Sequence, residues 1–110
     1  MCDVAAAAEG GGVELPAVLA ELGARGVVQL MVEGGGALHG SFLSQRGCAQ
    51  ELRLYVGACA LGSTARRWMA APLAATIDEA PRFKLLRVEA LEDDICIEYL
   101  LPNEDDEPLP

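Results

Sequence analysis

Basic residues are scarce in this chain, and histidine occurs once, as His39. Its 8 Lys and Arg face 17 Asp and Glu, leaving a net charge of −9. Affinity for a phosphate backbone comes chiefly from cationic side chains that displace counterions, so nucleic acid is not an expected partner. The four cysteines, Cys2, Cys48, Cys59 and Cys96, are widely separated and form no C-x-x-C pair. With a single histidine to complete a ligand set, no metal site is expected, and the cysteines read as reduced thiols, some of them in the core. No apolar run reaches the roughly 20 residues needed to span a bilayer. The N-terminus lacks a basic region followed by an apolar stretch, so no secretory signal is expected. These absences point to the cytoplasm, or to a plastid if a leader lies upstream.

What is present is apolar content, 52% of 110 residues, enough for one small domain with a modest core. "MCDVAAAAEGGG", residues 1–12, has no periodic pattern and is expected as a flexible leader. Residues 102–110 are acidic and punctuated by proline, the composition of a solvated tail. The domain proper is then 13–101. Leu15, Val18, Leu19 and Leu22 fall on one face at helical spacing, with Pro16 tolerable in the first turn and Gly23 or Gly26 available to stop the helix. Val27–Val32 is nearly continuous and rich in β-branched residues, which predicts a strand covered on both sides. A helix is expected over about 36–46, stopped by Gly47. "ELRLYVGA" alternates cleanly, and 82–90 and 94–101 flank the acidic turn "LEDD" as an antiparallel hairpin. One helix fills the gap from Val32 to Glu51, so a parallel, right-handed crossover is expected there. The class is α/β, a mixed sheet with helices packed on it.

Chemistry is suggested by "LMVEGGGALHGSFL", residues 30–43. A helix beginning at Gly35 or Gly36 leaves its first N–H groups without intrahelical partners, and those donors together with the helix dipole favour an anion. The G-x-G-x-x-G dinucleotide pattern is not met, because Gly34 and Gly36 are followed by His39 in the third position. The competing reading is a tight strand-to-helix turn, with Gly40 allowing close packing on the sheet. Glu33 sits where open α/β sheets place ligands, at the carboxyl end of a strand. A carboxylate is a poor phosphate ligand and a good acceptor for hydroxyls. The implied ligands carry both groups, as a sugar phosphate beside a dinucleotide would.

Three blocks, "LMVEGGGALHGSFL", "ELRLYVGACALG" and "DEAPRFKLLRVEALEDDICIEYLL", resemble in order the C-terminal part of the riboflavin-biosynthesis reductase domain. That domain is the reductase half of the bacterial bifunctional deaminase–reductase. The resemblance covers about residues 13–101. It implies a three-layer, dihydrofolate-reductase-like mixed sheet flanked by helices, with a C-terminal antiparallel hairpin and without the N-terminal half of the family domain. It also implies NADPH-dependent reduction of the ribosyl group of 5-amino-6-(5-phosphoribosylamino)uracil, or its diaminopyrimidinone counterpart, to ribityl. By the same resemblance Glu33 contacts substrate, while Gly35, Gly36, Ala37, Leu38 and Ser41 contact NADPH, and the reductase domains pair as a homodimer. It assigns no catalytic acid. Gln50-Glu51-Leu52 stands where the family often has Asp-Glu-Leu, and Ala58-Cys59-Ala60 where it often has Ala-Pro-Lys. The alternative is a non-catalytic, truncated homologue that binds a nucleotide or a partner.

Other polar and aromatic residues have plainer readings. His39, early in a helix, reads as surface or packing before it reads as an acid or base. Arg66 and Arg67 could meet a phosphate but read first as solvated loop residues. Trp68 reads as loop packing. Ser41 has no histidine and acid to activate it as a nucleophile.

Overall fold

A computed structural model describes residues 14–103. It divides into two compact units, the first ending at Gly34 and the second beginning at Gly35. The leader at 1–12 lies outside the described residues, as does the tail from 104 onward.

In the first unit, helix α1 runs over Leu15–Ala24, with Pro16 in its opening turn, where a missing N–H costs nothing. Its end is a left-handed glycine stop. Gly26 has φ +90°, the Gly26 N–H donates to the Gly23 carbonyl at 3.0 Å, and the Val27 N–H donates to the Leu22 carbonyl at 3.0 Å. Those two bonds satisfy carbonyls that the last turn would otherwise leave open. Arg25 also pairs with Glu21 one turn back, at 2.9 Å.

The expected strand at Val27–Val32 does not form. The segment carries no ladder, and Val28 is 100% and Met31 73% exposed. A strand exists only through the N–H and C=O groups of a neighbour. α1 is the one regular element in the described part of this unit, so nothing within it supplies them. The parallel crossover expected after Val32 is therefore absent as well.

The second unit contains α2 (Gly36–Ser44), β1 (Glu51–Val56), a short 3-10 turn (Ile77–Glu79), β2 (Lys84–Leu91) and β3 (Asp94–Leu100). The strands form one sheet in the order β1-β3-β2, antiparallel throughout rather than mixed. Register follows the alternation of the sequence. Leu52 and Leu85 flank Tyr99, Leu54 and Val88 flank Ile97, and Val56 and Ala90 flank Ile95. Side chains opposite one another share a face, so these nine make an apolar surface. Phe83 extends it, with its ring 5.6 Å from that of Tyr99.

The other face is polar. Arg53 and Arg87 stand on either side of Glu98, and Arg53 pairs with it at 2.9 Å. A hydrogen bond with Tyr55, and then the Glu98 charge, raise the Arg53 pKa above its ordinary value. Cys96, on the same face, is buried between Tyr55 and Glu89. Leu86 is an extra residue at an irregularity of β2. The Asp94 carboxylate accepts the Ala58 N–H at 2.9 Å, tying the exit of β1 to the hairpin.

The hairpin turn is two residues long, Glu92-Asp93, and Glu92 has φ +59°. Glycine takes that conformation without steric cost, whereas a residue with a Cβ is strained there. Glu92→Gly should therefore stabilise the chain by roughly 0.5–1 kcal/mol. Urea unfolding checks this: the midpoint should rise with the slope unchanged.

Candidate functional site

The glycines after Glu33 do different jobs. Gly35 is the N-cap of α2, and its carbonyl accepts the His39 N–H at 3.1 Å, the first bond of the helix. The N–H groups of Gly36, Ala37 and Leu38 are the orphan donors of that turn. No side chain caps the helix, and its first turn contains no acidic residue. A Cβ added at Gly35 would meet no atom within 4 Å. Protein packing makes no demand on this position, which leaves the backbone open to a close approach from outside.

Gly36 and Gly40 are required by the protein itself. A Cβ on Gly36 would lie 2.6 Å from the Arg67 carbonyl oxygen and 2.9 Å from the Ala70 Cβ. One on Gly40 would lie 2.5 Å from the Ala71 Cβ. The Ala70 N–H donates to the Gly36 carbonyl at 3.1 Å. Gly40 thus admits close packing, as expected, but its partner is the segment around Ala71 and not the sheet. The same segment is held a second time, because His39 Nδ1 lies 2.7 Å from the Trp68 carbonyl. The two rings are 6.5 Å apart and tilted by 48°. The contact is made by the Trp68 backbone, and the indole itself is exposed.

Of the residues expected to touch cofactor, Gly35, Gly36, Ala37 and Leu38 form the first turn of α2, and Ser41 lies one turn along from Ala37. The Ser41 hydroxyl donates back to the Ala37 carbonyl at 3.1 Å. Glu33 belongs to the other unit. It is exposed, and none of the ion pairs or side-chain hydrogen bonds among the described residues involves it. Because no strand forms at Val27–Val32, Glu33 does not stand at the carboxyl end of one, and that argument for a ligand beside it falls. Arg66 and Arg67 are exposed and take no part in those ion pairs.

Docking of the 67–71 segment is what the linear reading missed. Its trace in the sequence is the small-residue spacing of Gly36 and Gly40, one helical turn apart, together with Ala70 and Ala71. A concavity of about 680 Å³ opens near the far end of α2, lined by Phe42, Arg46, Phe83 and Leu101 among others. None of the expected site residues lines it. Among the described residues no group of His, Cys, Asp and Glu is arranged to hold a metal ion, and Cys59 and Cys96 are free thiols.

The fold is that of a dihydrofolate-reductase-like α/β protein, present here in part. The family model described as the RibD C-terminal domain matches residues 2–97, and the chain belongs to that family. It is 31% identical over 87 residues to "Riboflavin biosynthesis protein RibD" of Escherichia coli K12, covering 79% of this chain and 23% of that protein. Among solved structures it matches Acinetobacter baumannii RibD, form 1, with a TM-score of 0.68 and 27% identity over 84% of this chain. Form 2 of the same protein matches with a TM-score of 0.55 and 28% identity over 76% of this chain. The chain spans 26% and 29% of those two structures, so it corresponds to about a quarter of the length of these relatives.

The contrast between neighbouring glycines can be tested by stability alone. Gly36→Ala drives a methyl group into backbone and should cost about 1–3 kcal/mol. Gly35→Ser enters open space at a position where serine is a favoured cap, so stability should stay within about 0.5 kcal/mol. Parallel urea melts of the two variants measure both.

Proposed function

We propose that this chain contributes the cofactor-facing part of a reductase that uses NADPH to reduce the ribosyl group of 5-amino-6-(5-phosphoribosylamino)uracil, or its diaminopyrimidinone counterpart, to ribityl. The observation that carries this reading is the first turn of α2, where uncapped N–H groups adjoin open space at Gly35 in a member of the RibD C-terminal domain family. Those donors suit the phosphates of a dinucleotide, and no carboxylate in the turn repels them. Bound NADPH would supply the hydride. The chain's own part is to hold phosphate oxygens with the amides of Gly36, Ala37 and Leu38 and to leave the Gly35 backbone clear. Glu33 would accept hydroxyl hydrogens from the sugar. Orientation and electrostatics are the protein's contribution to such a transfer.

Titration of two variants tests the assignment. Gly35→Val places a branched side chain at the backbone approach and should raise the NADPH dissociation constant. Glu33→Gln keeps shape while losing charge, so it should spare NADPH and weaken sugar-phosphate binding or turnover by about ten- to a hundredfold, the worth of one charge-assisted hydrogen bond. Unchanged NADPH binding in Gly35→Val would remove the phosphate cradle. NADPH binding without turnover would favour the alternative, a nucleotide- or partner-binding module, to which the broadly exposed apolar sheet also points.

Association is part of the same proposal. β1 and β2 are the edges of the sheet, and Leu85 and Val88 on β2 remain 55% and 57% exposed. Unpaired edges and apolar faces invite pairing, and we assign a second copy of the chain as the occupant. Sedimentation at micromolar concentration should show a dimer or larger assembly, and a clean monomer would count against it.

A further inference from the structure

We propose that His39 is a positioning residue: its Nδ1–H, donated to the Trp68 carbonyl, holds the Arg66-Arg67-Trp68 segment over the first turn of α2. The inference rests on the NADPH reading for its consequence, but the contact itself does not. A carbonyl can only accept, so at 2.7 Å the proton must be on Nδ1.

Three features concentrate on the segment that His39 holds. Its Arg67 carbonyl passes so close to Gly36 that a methyl group there would clash. Two residues beyond it, the Ala70 N–H is bonded to the Gly36 carbonyl. Its two arginines are exposed and enter none of the ion pairs among the described residues. Backbone contacts at Gly36 fix one end of the segment, and the Trp68 carbonyl fixes it again three residues along α2. Two cations without acidic partners are thereby carried on a strap beside a turn of uncapped N–H donors. An anionic ligand on that turn would be met by the strap as well as by the helix. Without the His39 donor, the Trp68 carbonyl would lose its partner, and the strap would be held only beyond Trp68, by the Ala70–Gly36 hydrogen bond and the Ala71–Gly40 contact.

Trp68 is the single tryptophan, so its emission reports the strap directly. The full chain would be compared as wild type, His39→Leu, His39→Asn and His39→Gln. The asparagine amide nitrogen falls near the position of Nδ1, whereas the glutamine amide reaches one bond further. The measurements are acrylamide quenching of Trp68 without ligand, NADPH titration, and a urea melt of each variant. Leucine and glutamine should increase quenching and raise the NADPH dissociation constant about two- to tenfold, the worth of one neutral hydrogen bond, while asparagine restores both. Asparagine behaving like leucine, or leucine leaving quenching unchanged, would overturn the proposal. If leucine fails to fold, the asparagine–glutamine contrast decides in the same way. A wild-type chain that binds no NADPH, yet shows the expected quenching pattern, would end the cofactor reading and leave the His39 contact established.

Discussion

β3 is paired along both edges, with β1 on one side and β2 on the other, and the second unit is organised around that double ladder. Its residues set the register of the sheet. Tyr99, Ile97 and Ile95 define the apolar face, while Glu98 stands between Arg53 and Arg87 on the polar one. The Leu101 N–H continues the pattern by donating to the Gln50 carbonyl at 2.9 Å, and Leu101 is among the few buried apolar side chains. The same requirement for a ladder explains why 27–32 stays unpaired despite its composition. β-branched apolar residues favour a pleated surface, but they cannot replace a neighbour's backbone groups.

α2 depends on a different device. It is nine residues long, and both glycines within it, Gly36 and Gly40, face the strap at 67–71. An isolated helix of this length is marginal in water, so tertiary contacts must stabilise it. Removing two side chains lets backbone approach backbone, and the Ala70–Gly36 and His39–Trp68 hydrogen bonds close the contact. Gly35, beside them, has no such packing reason to be glycine. This division bears on function, because Gly35 and Gly36 read as one cradle until their separate surroundings are known.

Much of the second unit was legible in the chain itself. Alternation in "ELRLYVGA" and "ICIEYLL" carried the strands and their faces, and the acidic "LEDD" marked the hairpin turn. Helical spacing and flanking glycines marked α1 and α2. The family was visible in the order of the same blocks, above all in Val32-Glu33-Gly34-Gly35. What could not be read was the course of 58–75, where small residues, Pro72 and no periodicity leave the backbone path undetermined by local preference.

Local physics determined the elements whose cause lies within a few residues. The period-2 and period-3.6 patterns are such elements, as are the left-handed stop at Gly26 and the donors of the first turn of α2. Tertiary structure alone decided which apolar run became a strand, which glycine was needed for packing, and where the single histidine found its acceptor. Each of these depends on a partner distant in sequence: Trp68 is 29 residues from His39, and Ala71 is far along the chain from Gly40. A sequence lists the donors and the gaps, but a hydrogen bond or a close contact is made by both partners, and only the fold brings the second one into reach.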